Sequence, residues 1–425
     1  MSNHAPENPQ NFFDVMNARG LVAQTTDENI RNRFAPGSAQ VSAYCGFDPT
    51  ADSLHVGSLV PIMGLAHLQR CGHRPIIIVG GGTGMVGDPS GKTEARKMLT
   101  REQIDHNAQC IAAQIARVVS FGDPQNPRPT DAIMLNNADW LAKLNWIDML
   151  RDIGPHFSVN RMLTMDSVKG RMTGEGDGIS FLEFNYMIMQ AYDFVHLYKH
   201  HRCTVQLGGQ DQWGNIVMGI ELGRRTAAAD LAGLTFPLVT KADGGKFGKS
   251  EQGNIWLDAR RTSPYEFFQF WRNVNDADVS RYLKYFTFLP PEECELPADA
   301  DGGAINAMKE KLAFEVTQLI HGEAEARAAL DSAKKAFGEG DVTGDAIPHA
   351  PLDPAKLPAS LLDLMVEAQL AASKGEARRL IQGGGVKLHD DKITDVAQTI
   401  TSNHIRDGYV LVRVGKKKLF RFDVG

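Results

Sequence analysis

The chain has 425 residues, which is too long for one compact domain of ordinary size and predicts two or three. Hydrophobic residues make up 43% of it and charged residues 23%, a balance typical of globular proteins that excludes a disordered or fibrous chain. The formal net charge of −6 argues against a uniformly basic nucleic-acid binder. However, residues 359–425 carry 11 Lys and Arg against 8 Asp and Glu, or +3, which leaves −9 for the rest and fits an acidic body with a weakly basic C-terminal domain.

The spacing of the cysteines and the composition of the N-terminus bear on where the protein is located in the cell. The cysteines lie far apart, at Cys45, Cys71, Cys110, Cys203 and Cys294. Such spacing fits neither a disulfide framework nor a zinc site, and a surface turn accounts for His200 and His201 near Cys203, so no metal site is expected. No run approaches the roughly 18 apolar residues of a membrane span, and the first residues do not resemble a signal peptide. We therefore expect a cytoplasmic protein without a membrane segment.

The first motif in chain order is a strand that turns into a helix. Alternating apolar residues over 41–45 predict a short strand, and residues 46–53 are rich in Gly, Pro, Asp and Thr, as in a turn. His55, Gly57 and Ser58 then fall in the first turn of a helix, where backbone N–H groups attract phosphate oxygens. The motif indicates a nucleotide site. An ordinary capped helix with a surface histidine is the alternative.

A glycine-rich loop follows the next predicted strand. Residues 75–79 (PIIIV) form an uninterrupted apolar run, which suggests a central parallel sheet covered on both faces. The G-x-G-x-x-G pattern at 82–87 lacks the helix that a dinucleotide fingerprint needs, and GDPSGKT at 87–93 is one residue short of a P-loop. What remains is a loop that displays an acid for an ammonium group and bases for phosphates, namely Asp88, Lys92 and Arg96.

The next part of the chain carries helices without evident chemistry. A capping box at Thr100 (TREQ) opens a helix whose apolar residues are interpreted as core. A strand over 132–135 leads to Asn137 and to a further helix. Residues 148–175 are predicted to be helical and peripheral.

Three polar residues share one face of the helix that follows. Tyr186, Gln190 and Asp193 are spaced i, i+4, i+7 among apolar residues, and burying them is costly unless something hydrogen-bonds them. They indicate a pocket for a small polar ligand, with mutual bonding in the core as the alternative. The strand predicted at 204–209 ends in QDQWG at 210–214, and such strand ends bind ligands in open α/β sheets.

A loop rich in glycine and lysine comes next. After a short strand predicted at 237–240, residues 241–250 (KADGGKFGKS) combine pliable glycines with the charges of Lys246 and Lys249. Such a loop can close over a triphosphate and neutralise charge on a leaving group. An ordinary surface loop is the alternative.

The C-terminal part is predicted to be helical and then mixed. Helices run with breaks to residue 337, and their aromatic residues are interpreted as packing rather than as a platform for bases. Residues 338–358 are rich in Gly, Pro and Asp and predict a linker. Beyond it lies a compact helix-and-strand domain. Its basic residues form either a phosphate-binding face or a solvated surface, and they are Arg378, Arg379, Lys387, Lys416, Lys417 and Lys418.

Five segments, taken in order, resemble the bacterial tyrosyl-tRNA synthetases. They are YCGFDPTADSLHVGS at 44–58, GDPSGK at 87–92, the helix with Tyr186, Gln190 and Asp193, GGQDQWGN at 208–215 and KFGKS at 246–250. The first contains HVGS, similar to the HIGH signature of class I aminoacyl-tRNA synthetases, and the last is similar to their KMSKS loop. Ser58 stands where the signature has its second histidine, and a serine can still donate to a ribose or phosphate oxygen.

The resemblance implies a role for each matched position. Tyr44 and Asp193 would contact the phenol hydroxyl of substrate tyrosine, and phenylalanine would leave both unpaired. The other positions implied for tyrosine are Asp88, Tyr186 and Gln190 around its ammonium group, with Gln212 and Asn137. Those implied for ATP are Cys45, Asp48, His55, Gly57, Ser58, Gly209, Asp211, Lys246, Lys249 and Ser250. Those implied for catalysis are His55, Lys246 and Lys249, with Lys92 as a fourth.

The same resemblance implies the reaction and the architecture. Tyrosine would attack the α-phosphorus of ATP to give tyrosyl-adenylate and pyrophosphate, and tRNA(Tyr) would take the tyrosyl group. Mg²⁺ would be bound through the ATP phosphates. The implied fold class is α/β, with a Rossmann-like parallel-sheet catalytic domain (1–233) whose insertion at 148–175 forms a homodimer interface. A helical domain (234–337), the linker and a small α+β RNA-binding domain (359–425) follow.

Two rival functions are compatible with parts of this pattern. The related tryptophan enzyme is disfavoured by the pair of Tyr44 and Asp193 and by the C-terminal domain. An RNA-binding protein that keeps the fold without catalysis is disfavoured by the presence of His55, Lys246 and Lys249.

Overall fold

A computed structural model of the chain describes residues 10–88, 99–165, 168–169, 172, 178–242, 247–250, 253–297, 299–337, 348–389, 391–415 and 418–424. The chain divides into two compact units, Met1–Asp258 with Asn275–Ile305, and Ala259–Val274 with Asn306–Gly425. Among the helices of the described ranges, none combines the length and the apolarity that crossing a lipid bilayer requires.

The first unit is organised around a six-stranded sheet. Its strands are β1 Gln24–Thr25, β2 Ser42–Phe47, β3 Arg74–Val79, β4 Ile133–Asn136, β5 Cys203–Gly209 and β6 Ala232–Phe236. They are ordered β1-β6-β5-β2-β3-β4, with β1 antiparallel and the others parallel. The apolar run predicted as a strand is β3, which is buried from Pro75 onward because helices cover the sheet. The parallel sheet confirms the predicted α/β class.

Helices connect and cover these strands. They are α1 Phe12–Ala18, α2 Ile30–Arg33, α3 Leu59–Arg70, α4 Arg101–Ile115, α5 Ala138–Leu141, α6 Trp146–Asp152, α7 Val159–Leu163, α8 Phe181–Phe184, α9 Tyr186–His201 and α10 Trp213–Ala227. A short hairpin, β7 Lys249–Ser250 and β8 Gly253–Asn254, follows the sheet. Helix α3 is buried almost all round, as expected for a helix that packs centrally, and α4 begins at the predicted capping box of Thr100. The strand predicted at 237–240 is wrong, because the last sheet strand is β6 and ends at Phe236.

The helices after residue 258 do not form one domain. Helix α11, Pro264–Arg272, belongs to the second unit, whereas α12, Val279–Phe286, belongs to the first. The guanidinium of Arg19, which is buried near the end of α1, donates to three carbonyls at the end of α12, those of Lys284, Thr287 and Leu289. These bonds satisfy orphan carbonyls of the helix terminus and tie residues 275–305 to the first unit. The two units thus divide the chain at other positions than the predicted boundaries at 233 and 337, which stay predictions.

The second unit combines helices with a C-terminal sheet. Its further helices are α13 Gly302–His321, which begins in the first unit, α14 Glu323–Phe337, α15 Leu361–Glu367 and α16 Lys374–Gln382. Its strands are β9 His349–Pro351, β10 Ala359–Ser360, β11 Val386–Leu388, β12 Asp391–Ile393, β13 Thr399–Ile400, β14 Tyr409–Val414 and β15 Lys418–Asp423. Five of them form a sheet in the order β12-β11-β14-β15-β9, and β10 pairs with β13. Helices α15 and α16 share an apolar core with this sheet, as Met365, Ile381 and Val412 illustrate.

Part of the segment predicted as a linker belongs to the C-terminal sheet. Strand β9 pairs in parallel with β15, with Ala350 opposite Phe422. Residues from 349 onward are thus part of the C-terminal sheet, and a linker over 338–358 is wrong on its C-terminal side. Its first part, 338–347, lies outside the described residues.

A close approach between α3 and β6 tests this packing. A Cβ added at Gly64 would lie 2.4 Å from Cζ of Phe236. We expect Gly64→Ala to lower the free energy of unfolding by about 1–3 kcal/mol, because overpacking outweighs the better helix propensity of alanine. The control is Gly375→Ala in α16, where the nearest atom, Ser373 Oγ, is 3.7 Å away and no loss is expected. Urea unfolding of both variants measures the difference, and equal stabilities would contradict this packing.

Candidate active site

A cavity of about 630 Å³ opens at the carboxyl ends of β2 and β5. Strand β2 has β3 on one side and β5 on the other, so the strand order reverses here, as at the ligand sites of open α/β sheets. The predicted positions that line the cavity are Tyr44, Cys45, Asp48, His55, Gly57, Ser58, Asp88, Asn137, Tyr186, Gln190, Asp193, Gly209, Asp211 and Gln212. The structure therefore brings these scattered residues together. Lys92 and Lys246 lie outside the described residues, and only the backbone of Lys249 and Ser250 is described, as β7.

Two buried polar atoms mark the part of the cavity next to the sheet. Tyr44 and Gln206 are opposite each other on β2 and β5 and are 2% and 3% exposed. Within the described ranges, neither Tyr44 Oη nor Gln206 Oε1 has a hydrogen-bond partner. Burial, and then the charge of Asp193, raises the pKa of Tyr44 well above its ordinary value, so its hydroxyl stays protonated. Because an unpaired buried polar group costs free energy, both atoms favour a polar ligand.

The carboxylate of Asp193 is held from two sides. Trp140 Nε1 donates to its Oδ1 at 2.7 Å, and Asn137 Nδ2 donates to its Oδ2 at 2.9 Å. Burial raises the pKa of Asp193 to about 7, these two hydrogen bonds oppose the rise, and the charge of Asp48 adds to it. Each carboxylate oxygen has a second lone pair, so Asp193 can accept a further bond from a ligand.

The other two residues of the α9 face bond to different elements. Tyr186 Oη donates to Asp48 Oδ2 at 3.1 Å, and Thr83 Oγ1 donates to Asp48 Oδ1 at 3.0 Å. Gln190 Nε2 donates to Gln212 Oε1 at 3.2 Å. Gln212 Nε2 in turn donates to Asp88 Oδ2 at 2.7 Å. The polar residues of α9 thus connect to the turn after β2 and to the residues after β5, which favours the pocket interpretation over a self-contained core network.

The predicted nucleotide turn has the expected backbone geometry. His55 precedes a 3₁₀ turn at Val56–Ser58, and its Nδ1 accepts from Gly57 N–H at 3.0 Å. A Cβ on Gly57 would lie 2.7 Å from the His55 ring, so a side chain there would displace the imidazole. Gly248, with φ of +78°, lies against this turn, because a Cβ there would be 2.8 Å from Val56 Cγ2. The described end of the lysine-rich loop therefore contacts the HVGS segment.

Two further positions differ in what they can do chemically. Burial raises the pKa of the Cys45 thiol to about 12, so it remains protonated and is not a nucleophile. At Gly209 a Cβ would lie 2.5 Å from Asp211 Oδ1, so only glycine leaves this carboxylate in place. Burial, and then the charge of Asp88, raises the pKa of Asp211.

The predicted RNA-binding residues lie on the second unit. Arg378 and Arg379 are exposed on α16, and Lys387 is exposed on β11 opposite Arg413 of β14. Lys418 instead donates to the carbonyl of Leu370 at 3.3 Å and is half-buried. Lys416 and Lys417 lie outside the described residues.

Comparison with known proteins identifies the family. The model for class I tRNA synthetases (W and Y) matches residues 37–338, and the model for the tyrosine–tRNA ligase SYY-like C-terminal domain matches 342–422. The chain is 48% identical over 415 residues to a tyrosine–tRNA ligase of Clostridium botulinum, covering 97% of this chain and 99% of that protein. The chain belongs to the tyrosyl-tRNA synthetase family. A tyrosine–tRNA ligase of Clostridium kluyveri is 47% identical over 411 residues, covering 97% and 98%.

A solved structure supports the same family. A C-terminally truncated mitochondrial tyrosyl-tRNA synthetase of Aspergillus nidulans superposes with a TM-score of 0.68 at 32% identity, covering 77% of this chain and 94% of that one. Membership in the tyrosyl-tRNA synthetases agrees with the order of the sequence motifs. It argues against the alternative that the chain is the related tryptophan enzyme.

Sequence reasoning missed three residues that line the candidate site or hydrogen-bond to a residue that lines it. Gln206 is a polar residue inside an otherwise apolar strand, and Trp140 carries an indole N–H that must find an acceptor when buried. Thr83 accepts from Asn137 Nδ2 at 3.0 Å and donates to Asp48. Buried polar side chains in apolar surroundings were the available signal for the first two, whereas nothing in the local sequence distinguishes Thr83.

The unpaired hydroxyl of Tyr44 gives a testable signature. We expect Tyr44→Phe to leave the ligand-free protein as stable as wild type or about 1 kcal/mol more stable, because it removes a buried group without a partner. Tyrosine binding should weaken by about tenfold, because the hydrogen bond to the ligand is lost. Thermal unfolding and calorimetric titration with L-tyrosine measure the two effects. A clear loss of stability in the ligand-free variant would mean that the hydroxyl already has a partner.

Proposed function

We propose that this tyrosyl-tRNA synthetase family member is a tyrosine:tRNA ligase that activates L-tyrosine with ATP and then transfers the tyrosyl group to the 3′ end of tRNA(Tyr). The observation that supports it most is the pairing of Tyr44 with Asp193. The first has a buried hydroxyl without a partner, and the second is a carboxylate close enough to raise the pKa of that hydroxyl.

The pair is suited to a phenol. The ligand's hydroxyl would donate to the Asp193 carboxylate and accept from the Tyr44 hydroxyl, so all three groups would be satisfied. Phenylalanine would occupy the same space, leave the buried Tyr44 hydroxyl without a partner and give Asp193 no hydrogen bond beyond those from Trp140 and Asn137. Gln206 Oε1 offers one more acceptor beside the ligand.

The amino-acid end of the substrate would bind farther along α9. Asp88 supplies a carboxylate for the ammonium group, and Gln212 holds that carboxylate in place through Nε2. Tyr186 and Gln190, which also line the cavity, add a phenol oxygen and an amide oxygen. Asn137 acts through Asp193, to which it donates.

ATP would bind over the turn that contains His55, where Gly57 and Ser58 lie at the start of a helix, whose positive dipole end attracts phosphate oxygens. Because His55 Nδ1 accepts from Gly57, the proton of a neutral imidazole lies on Nε2, which can donate to a phosphate oxygen. Cys45, Asp48, Gly209 and Asp211 would line the ribose side. Lys92, Lys246, Lys249 and Ser250 stay predictions from the sequence.

The reaction needs no covalent enzyme intermediate. The tyrosine carboxylate attacks the α-phosphorus, pyrophosphate leaves, and the ribose hydroxyl of the tRNA then attacks the adenylate carbonyl, with AMP as the second leaving group. Positioning and electrostatic stabilisation are sufficient for such steps. Mg²⁺ would enter with ATP, bound through the phosphates, as this hard cation usually is in nucleotide sites. The cytoplasmic location stays a prediction.

The second unit would supply a tRNA contact. Arg378, Arg379 and Lys387 are exposed on one small domain whose family model belongs to tyrosine–tRNA ligases. Exposed cations of this kind attract a phosphate backbone. Lys418 is a weaker candidate, since its ammonium group already donates to a backbone carbonyl.

Tyrosine-dependent exchange of pyrophosphate into ATP tests the proposal directly. We expect exchange with L-tyrosine and not with L-phenylalanine, and Asp193→Asn should raise KM for tyrosine by about 10- to 100-fold, because a charged acceptor is lost. Wild-type kcat/KM for tyrosine should rise with pH up to about 7, where Asp193 ionises, and the variant should lack that rise. Absence of exchange by the folded protein would reject the proposed function.

The same pKa predicts the pH dependence of stability. The folded pKa of Asp193 lies above its ordinary value of 3.8, so the folded state favours the protonated carboxyl group. The resulting contribution to the free energy of unfolding is fully present below pH 3.8 and is lost as the pH rises through about 7. Wild type should therefore lose thermal stability relative to Asp193→Asn between pH 4 and 7.

An exposed apolar surface supports the predicted homodimer. Most of the large apolar side chains that are exposed in the described chain lie between positions 146 and 182, namely Trp146, Ile147, Leu150, Val159, Met172, Phe181 and Leu182. Phe181 is 70% exposed and Ile147 is 64% exposed, and large apolar side chains exposed in such number favour a role in an interface. A second copy of this chain is the proposed partner.

Sedimentation velocity distinguishes the oligomeric states. We expect a dimer for wild type and a monomer for the double variant Ile147→Asp with Phe181→Asp, because buried carboxylates at an apolar interface remain unpaired. Leu238→Asp, at an exposed apolar residue outside this surface, is the control and should remain dimeric. A monomeric wild type at micromolar concentration would contradict the proposal.

A further inference from the structure

Helix α4 has two buried amide side chains, and neither of them lines the active-site cavity. Asn107 and Gln114 are two helical turns apart, on the same face of α4, and each is 8% exposed. Ile111, between them on that face, lines the cavity. Buried amides need partners, so the contacts of these two side chains show what the helix holds.

Both side chains bond to the backbone of the nucleotide turn. Asn107 Nδ2 donates to the carbonyl of Pro49 at 2.9 Å. Gln114 Oε1 accepts from Leu54 N–H at 2.9 Å, and its Nε2 donates to the carbonyl of Asp52 at 3.3 Å. These contacts cover the segment between Asp48 and His55, which has no regular secondary structure of its own to fix it.

Ser53 connects the same turn to the chain beyond β8. Its Oγ accepts from Asp258 N–H at 3.1 Å and lies 3.4 Å from Gln114 Oε1. Leu257 N–H donates to the carbonyl of Leu54, and Val56 N–H donates to that of Ile255. The turn is therefore held between α4 on one side and the segment after the lysine-rich loop on the other.

We propose that Asn107 and Gln114 are positioning residues for ATP, which fix the turn that carries His55 and Gly57 without touching the substrate. The inference rests on the proposed ATP site and adds residues that no sequence motif includes. Ordering a turn before the ligand arrives lowers the entropic cost of binding. Loss of Gln114 should therefore weaken ATP binding and leave tyrosine binding unchanged.

The test compares variants of two equally buried glutamines in the full-length protein. Gln69 of α3 is also 8% exposed and makes three backbone bonds, with Ser120 O at 2.7 Å, Thr130 O at 2.8 Å and Ser120 N at 2.9 Å. Its partners lie outside the cavity lining. Gln69→Met thus controls for the general cost of removing a buried amide, and Gln114→Met tests the proposed role.

Calorimetric titration with a non-hydrolysable ATP analogue is the primary measurement, since it does not require the reaction. We expect Gln114→Met to raise Kd for the analogue by about tenfold, because Leu54 N–H is left without its acceptor, and to leave Kd for tyrosine unchanged. Gln114→Glu keeps an acceptor for Leu54 N–H, so its Kd for the analogue should lie between those of wild type and Gln114→Met. Gln69→Met should lose a similar amount of thermal stability with no change in either Kd.

Equal ATP affinity in Gln114→Met and Gln69→Met, or parallel weakening of ATP and tyrosine, would overturn the inference. If Gln114→Met does not fold, Asn107→Leu is judged by the same criterion, because it removes one hydrogen bond to the turn rather than three. If wild type binds the analogue but shows no tyrosine-dependent exchange, the proposed function is rejected. The comparison of ATP-analogue affinities between the variants still decides the role of Gln114 in that case.

Discussion

The carboxylate of Asp193, a residue of α9, is buried, and the loss of water around it raises its pKa to about 7. Two neutral donors, the Trp140 indole and the Asn137 amide, hold its oxygens from the chain that follows β4. Because a buried carboxylate is costly unless it is hydrogen-bonded, these contacts fix α5 and α9 relative to the sheet. The sheet then places the unpaired hydroxyl of Tyr44 beside this charge. Every substrate role proposed for the site depends on that arrangement.

The rest of the cavity extends from this buried end along the strand ends. Asp48 accepts from Tyr186 and Thr83, which links the turn after β2 to α9 and to the loop after β3. Beyond it the nucleotide turn is held by α4 and by the segment after β8, and at Gly46 there is open space next to the backbone. The proposed amino-acid site and the proposed nucleotide site therefore both lie at one switch point of a parallel sheet.

Local patterns in the sequence predicted the local structure well. The apolar run of β3, the capping box of Thr100 and the shared face of Tyr186, Gln190 and Asp193 each depend on residues close together in the chain. Contacts between distant residues were not predictable in this way. Arg19 ties α12 to the first unit across more than 260 positions, and β9 joins the C-terminal sheet from a segment whose composition suggested a linker. Gln206 and Trp140 became site residues only once burial showed what they face.

The most direct test of this account is a crystal structure of the protein with L-tyrosine bound. We expect the phenol oxygen within hydrogen-bond distance of both Tyr44 Oη and an Asp193 carboxylate oxygen, with the ammonium group on the side of Asp88. A tyrosine ring bound elsewhere, or bound with its hydroxyl turned away from Asp193, would contradict it.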